Sequence, residues 1–156
     1  MASQSAVDCD HLKLANNIKI MEMLQKYGEQ EDVIYSGKLI KINKRERSQT
    51  RTLLITNKAI YNIKGKNYNN PQRRINLKDI SAITLSVSSL EFTINIPNEY
   101  DYRFKANDND QRQKIINIIS NQYKILKGKD ITITKITTMT TIAYTVNKDV
   151  ARLRVE

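Results

Sequence analysis

The chain has very few of the residues on which disulfides, metal sites and thiol chemistry depend. Its 156 residues include one cysteine, Cys9, and one histidine, His11. A single cysteine forms no intrachain disulfide, and the pair cannot make up a tetrahedral zinc site. Cys9 and His11 are close in sequence, but no third orienting group or oxyanion loop accompanies them, which disfavours a thiol enzyme. We therefore expect no metal, no cofactor and no catalytic site.

Glycine, proline and long apolar runs are scarce as well. Four glycines and two prolines exclude a collagen-like or glycine-rich chain. No stretch approaches the roughly 20 apolar residues of a membrane-spanning helix, and the start, MASQS, does not resemble a secretory signal. The GxGxxG, Walker and HExxH motifs are absent. With 40% hydrophobic residues the chain can fill one core, so we expect a single non-catalytic, cytoplasmic domain.

Acidic residues are nearly absent from one third of the chain. Residues 36–78 contain twelve lysines and arginines and one acid, Glu46, for a net charge of +11. The whole chain carries +10, so the remainder carries −1. A charge gathered in one segment favours a surface that meets an anionic partner over a basic exterior that only aids solubility.

From Val33 onward, apolar and polar residues alternate with period two, which is typical of antiparallel strands. Hairpins are predicted over residues 56–58 and 88–89. In the strands after the second hairpin we expect one buried and one wet face. The predicted strands are residues 33–43, 51–56, 58–64, 73–77, 80–87, 90–96 and 100–106. The residues expected on the wet face are Glu91, Thr93, Asn95, Pro97, Asp101, Arg103 and Lys105.

Two segments have helical periodicity instead. Residues 10–27 predict a helix that Asp10 caps and that packs on the domain through an apolar stripe. Residues 109–126 predict a second, amphipathic helix, capped by Asn107 or Asp108 and ended at Gly128, that covers an open end or edge of a curved sheet. The stripe of the first helix comprises Leu12, Ala15, Ile18 or Ile20, Met23 and Leu24.

The segment after the second helix is rich in β-branched residues. One or two further strands are predicted there, around Ile131 and Ile133 and around Ile142, Tyr144 and Val146. The sequence thus divides into an N-terminal helical extension (residues 1–30), a mainly β domain (31–128) and a C-terminal β extension (129–156).

Several blocks of the sequence carry a resemblance to one family. They are VIYSGKLIKINKR from Val33, QTRTLLITNKAIYNI from Gln49, RRINLKDI from Arg73, ITLSVS from Ile83 and NIPNEYDY from Asn95. In this order they resemble the tail homology domain of class I myosins, as a solitary module without the motor. The resemblance implies a pleckstrin-homology-like fold, which is a seven-stranded antiparallel barrel capped by a C-terminal helix. It also implies binding to anionic phospholipids, phosphoinositides included.

The same resemblance points to a site. Pleckstrin-homology modules bind head groups with a lysine on the first strand and a basic residue, a spacer and an arginine on the second. Lys38 or Lys41 and Arg51 match by position, whereas Gln49 stands where the middle basic residue belongs. From the residues alone, the basic loop after the first strand aims several cations at one phosphate cluster. The predicted anion site comprises Lys41, Lys44, Arg45, Arg47 and Arg51, with Lys38, Arg73 and Arg74 at its rim.

Two other classes of partner stay open. The first is an acidic protein surface, such as tubulin or actin, which would make the chain an adaptor subunit of a cytoskeletal or ciliary assembly. The second is nucleic acid, which the sequence disfavours because no aromatic residues interleave with the cations of the basic loop. All these interpretations place the protein in the cytoplasm, at a membrane or on the cytoskeleton.

Overall fold

A computed structural model describes residues 9–27 and 30–137. The strand predicted around Ile142, Tyr144 and Val146 lies outside these residues. In the described part, a mainly β arrangement with one helix before it and one near its end is confirmed. No helix in that part is long and apolar enough to cross a bilayer. The helices are α1 (Ile18–Gln25) and α2 (Asn109–Lys127). The strands are β1 (Val33–Ile42), β2 (Ser48–Thr56), β3 (Ala59–Ile63), β4 (Arg73–Asn76), β5 (Ala82–Ser86), β6 (Glu91–Asn95), β7 (Tyr102–Lys105) and β8 (Thr132–Ile136).

The described chain forms two compact units. Unit 1 contains the described residues up to Lys38 together with Thr50–Leu77. Its strands follow the order β4-β3-β2-β1, and β3 is antiparallel to both of its neighbours. A buried cluster on one side joins α1 to β2 and β3, which confirms that the N-terminal helix packs on the domain. The cluster comprises Leu14, Ile20, Met23, Leu24, Leu54, Ala59, Tyr61 and Ile63.

The first helix is shorter than the sequence predicts, and the prediction for residues 10–17 is wrong. Asp10 does act as a cap, but its carboxylate accepts the N–H groups of Leu14 and Ala15 at 2.9 and 2.8 Å and so closes a turn. Lys13 within that turn has a left-handed backbone (φ 57°), which a helix cannot contain. The helix begins after Asn17, whose Oδ1 accepts the N–H of Ile20.

Unit 2 contains Leu39–Gln49 and the described residues from Lys78 onward. Its strands follow the order β1-β7-β6-β5-β8, in which β8 runs parallel to β5 and the other pairs are antiparallel. The fully buried side chains of this unit include Ile83, Phe92, Ile94 and Phe104. Four residues of α2 are also buried, on the face that the periodicity predicts: Ile115, Ile116, Ile119 and Tyr123.

The prediction of a wet face on the strands after the second hairpin is wrong for four of its seven residues, whereas Pro97 and Lys105 are exposed as expected and Glu91 is half-buried. Thr93, Asn95, Asp101 and Arg103 are at most 5% exposed. They are buried because they bond to one another and to neighbouring polar groups. Asn95 donates to Asp101 and accepts from Thr84, and Arg103 binds two carboxylates. The alternation of polar and apolar residues along these strands therefore shows which residues share a face of the sheet, but it does not show that this face is exposed to solvent.

The ends of α2 follow from local signals. Asp108 accepts the N–H of Gln111, and Gly128 ends the helix in the left-handed region at φ 73°. No atom lies within 4 Å of a Cβ built on Gly128. We expect Gly128→Ala to lower the free energy of unfolding by about 1 kcal/mol, through backbone strain alone. Urea denaturation measures this. Gly128→Asn, which tolerates the left-handed region, should lose clearly less, and an equal loss would contradict the strain argument.

Candidate anion-binding surfaces

The loop between β1 and β2, residues 43–47, forms a tight turn that we call the basic turn. Asn43 organises it. Its N–H donates to the Arg47 carbonyl, its carbonyl accepts from the Glu46 N–H, and its Oδ1 accepts the N–H groups of Arg45 and Arg47 at 2.9 and 3.0 Å. The side chains of Lys44, Arg45 and Arg47 are exposed. In the described part of the chain no carboxylate pairs with any of the three. Three cations thus project from one short, ordered loop.

The acid of the basic turn, Glu46, is bound by an arginine outside the turn. Glu46 accepts a hydrogen bond from Arg103 Nη1 at 2.7 Å, and Glu91 accepts one from Arg103 Nε at the same distance. The side chain of Arg103 is 5% exposed. Burial alone would lower the pKa of Arg103, but the hydrogen bond and charge of Glu91 and the charge of Glu46 raise it. Arg103 therefore stays charged, and its single positive charge is shared between the carboxylates of Glu46 and Glu91.

Lys38 and Lys41 occupy different positions on β1. They are three residues apart, and because strand side chains alternate they lie on opposite faces. Lys38 is exposed. Lys41 is half-buried, faces Phe104 in the strand register, and places its ammonium 5.5 Å from the centre of the Tyr102 ring. The two lysines are therefore not equivalent.

In unit 1 the structure brings Arg51 and Arg73 to one sheet face. Asn62 of β3 is opposite both Leu53 and Arg73, and Arg51 shares the face of Leu53 because it is two residues away. Lys64 directly follows Ile63, the last residue of β3, which is opposite Thr52. Arg51, Lys64 and Arg73 form what we call the unit 1 cationic face.

Arg74 lies on the opposite face and is committed to the fold. Its Nη2 donates to Glu31 at 2.8 Å, its Nε donates to the Tyr61 hydroxyl, and its guanidinium stacks 4.5 Å from the Tyr27 ring centre. The Glu31 side chain is fully buried. Burial raises the pKa of Tyr61 well above its ordinary value, so this hydroxyl stays protonated and donates to Glu31. We therefore leave Arg74 out of the candidate surface, contrary to the expectation from the sequence.

Two contributors were missed by reasoning from the sequence. Lys64 could have been found by following the hairpin over residues 56–58 to the end of its second strand, which Lys64 directly follows. Arg103 could not, because it is 57 residues from its partner Glu46 and its alternation suggested exposure. Within the described residues, no group of three or more histidines, cysteines or acids is placed to hold a metal ion.

Comparison with known proteins identifies the family. Residues 7–155 match the family model described as "Unconventional myosin tail, actin- and lipid-binding". The chain belongs to this family. This confirms the resemblance carried by the sequence blocks and assigns the protein to the myosin tail homology domains, whose common description includes actin and lipid.

Individual relatives agree with this assignment. The domain is 26% identical over 128 residues to myosin heavy chain IB of Acanthamoeba castellanii, which covers 78% of the chain and 11% of that protein. It is 39% identical over 74 residues to myosin IF heavy chain of Dictyostelium discoideum, covering 47% and 7%. The chain thus spans about a tenth or less of the length of these relatives.

The fold is confirmed by solved structures. The C-terminal pleckstrin-homology domain of pleckstrin, in complex with D-myo-Ins(1,2,3,5,6)P5, superposes with a TM-score of 0.53 at 20% identity. The match covers 61% of the chain and 99% of the pleckstrin domain. At that identity the likeness establishes a pleckstrin-homology-like fold and no more.

Proposed function

We propose that this myosin tail homology domain is a non-catalytic module that docks on anionic phospholipid membranes through the basic turn. The observation that carries the proposal is the turn itself, in which Lys44, Arg45 and Arg47 are exposed and pair with no carboxylate among residues 9–27 and 30–137. The family description, which names lipid, supports it. So does a structural neighbour that was solved with an inositol pentakisphosphate, a ligand of the same polyanionic chemistry.

The unit 1 cationic face supports an anionic partner independently. Arg51 and Arg73 share one face of the sheet, and Lys64 directly follows the end of β3. The exposed ammonium of Lys64 and the guanidinium of Arg73 on the same face offer the donors for a phosphate. Lys38, also exposed, adds charge from β1.

The magnitude decides what kind of docking this is. A lysine or arginine near an anionic leaflet contributes about 1 kcal/mol, so the three cations of the basic turn contribute about 3 kcal/mol. This corresponds to weak, reversible adsorption. Gln49, in the place of a second-strand basic residue, supports recognition of charge density over recognition of one phosphoinositide isomer. Stable residence on a membrane then needs a second contact or several copies of the domain.

Vesicle co-sedimentation tests the proposal. We expect the protein to pellet with vesicles that contain phosphatidylserine or a phosphoinositide and to stay in solution with neutral phosphatidylcholine. Raising the salt from about 0.1 M to about 1 M shortens the Debye length from about 10 Å to about 3 Å, so most of the bound protein should be released. Equal pelleting with neutral and anionic vesicles, or binding that is insensitive to salt, would refute the proposal.

A second candidate follows from the family description, which names actin beside lipid. An actin filament is a polyanionic protein surface, and the same exposed cations would meet it. Sedimentation with filamentous actin, with and without anionic vesicles as competitor, separates the two partners. The comparisons do not extend to tubulin or to cilia, which remain predictions from the sequence.

A further inference from the structure

The conformation of Glu46 singles it out within the basic turn. Its φ of 64° lies in the left-handed region, which glycine and asparagine occupy at little cost and glutamate does not. A glutamate also places a negative charge between Arg45 and Arg47, the cations that would face a polyanion. On both counts glutamate is an unfavourable residue for an anion-binding turn unless its side chain contributes something else.

The side chain of Glu46 ties the turn to the body of unit 2. Its carboxylate accepts from Arg103 Nη1 at 2.7 Å, and Arg103 is fixed in turn by Glu91 at 2.7 Å. Arg103 is buried in β7, and Glu91 lies on the neighbouring strand β6. The position of the arginine is therefore set by the sheet and not by the basic turn. The basic turn is thus held at its left-handed residue by a charge-assisted hydrogen bond to an immobile donor.

We propose that Glu46 and Arg103 are positioning residues for lipid docking. They hold the basic turn in the conformation that projects Lys44, Arg45 and Arg47 together, and Arg103, which also pairs with Glu91, offsets part of the charge of Glu46. This inference rests on the proposed function, because it explains how the turn presents its cations to a membrane. Neither Glu46 nor Arg103 contacts the lipid itself.

A simple electrostatic view predicts the opposite result when Glu46 is replaced. If only net charge mattered, removal of this acid would strengthen binding to anionic vesicles about fivefold. If Glu46 positions the turn, removal weakens binding although the protein becomes more positive. Glu46→Gly removes the anchor without backbone strain, and Glu46→Gln keeps the size of the side chain but loses its charge. We expect about a fivefold loss of vesicle partitioning for Glu46→Gly and about a twofold loss for Glu46→Gln.

Two further measurements make the test specific. Glu22→Gln on α1 is the matched control, since Glu22 is exposed and makes no hydrogen bond or ion pair with the described residues. It changes the charge by the same amount on a residue outside the basic turn and should leave partitioning unchanged or slightly raised. Amide hydrogen exchange of the lipid-free protein reports on the turn directly. The backbone N–H groups of Arg45 and Arg47 donate to Asn43 Oδ1, and their hydrogens should exchange with solvent several-fold faster in both Glu46 variants than in the wild type.

The outcomes separate the two proposals. If the wild-type protein prefers anionic vesicles but both Glu46 variants bind more tightly, the positioning role is wrong and the proposed function stands, whatever the exchange rates. Unchanged exchange at Arg45 and Arg47 would also overturn the positioning role. If the wild-type protein shows no preference for anionic vesicles, the proposed function fails first, and the positioning role for lipid docking falls with it.

Discussion

Reversing the charges of Arg45 and Arg47 together is expected to reduce partitioning onto anionic vesicles about a hundredfold. Each cation near the leaflet contributes about 1 kcal/mol, and a glutamate in its place adds a repulsion of similar size, so the pair changes the binding free energy by about 3–4 kcal/mol before screening. The turn itself should survive, because Asn43 holds it through the backbone N–H groups of these two residues. Co-sedimentation or surface plasmon resonance on supported bilayers measures the effect.

The matched control reverses Lys114 and Lys124 on the exposed side of α2. Both side chains are exposed, and the ion pair that Lys124 makes with a described residue is a 3.5 Å surface contact with Asp130. The total charge of the protein changes by the same amount as in the Arg45 and Arg47 variant, so long-range attraction is matched. We expect a loss of less than about fivefold. If both double variants lose affinity equally, binding depends on net charge and the basic turn is not the docking surface.

The parts of the fold that sequence reasoning predicted well are those set by neighbours in the chain. The second helix is a clear case, since its period, its cap at Asp108 and its end at Gly128 are all visible within one short stretch of sequence. The predicted hairpins also appear, with strand ends close to those expected. Hydrophobic period and turn chemistry are local signals, and a packed core reinforces them in this domain.

The errors arise where a distant partner overrides the local pattern. Asp10 was predicted to cap a helix. Instead its carboxylate accepts a 2.6 Å hydrogen bond from the hydroxyl of Ser36, which is 26 residues later in the sequence, and the chain forms a turn at Asp10. Arg103 looked exposed because it alternates with apolar residues, yet two carboxylates bring it inside. The burial of such polar residues can be predicted only when their hydrogen-bond partners are known, and a single sequence does not identify those partners.

In the candidate site, too, the features set by neighbouring residues were predictable, and those set by distant partners were not. That residues 43–47 form a cationic loop was predictable, since charge and turn both lie in one short segment. That Arg73 and Arg74 lie on opposite faces of the sheet could also have been predicted, because the side chains of adjacent strand residues point to opposite faces. The role of Arg74 was not, because it depends on a carboxylate 43 residues earlier in the chain.

Replacing Arg74 with alanine is expected to lower the free energy of unfolding by about 3 kcal/mol, because it leaves a buried carboxylate without its counter-charge. The Glu31 side chain is fully buried, and its remaining donors would be the hydroxyls of Thr56 and Tyr61. Those two bonds keep the loss at the lower end of the range for a broken buried pair. The stacking of the guanidinium on Tyr27 is lost as well. Urea denaturation followed by circular dichroism gives the value.

Two comparison variants decide whether the loss comes from this network. Arg47→Ala removes an arginine from the exposed turn and should change stability by less than about 0.5 kcal/mol. Arg74→Lys keeps the charge but cannot reach Glu31 and Tyr61 with a planar fork, so it should recover only part of the loss. In the vesicle assay the order of the two alanine variants should be reversed, so that the variant with the smaller loss of stability has the larger loss of binding. Arg47→Ala weakens binding, whereas folded Arg74→Ala protein binds much as the wild type does, because its guanidinium stabilises unit 1 and lies outside the docking surface. Equal destabilisation by the two alanine variants would show that Glu31 does not depend on Arg74.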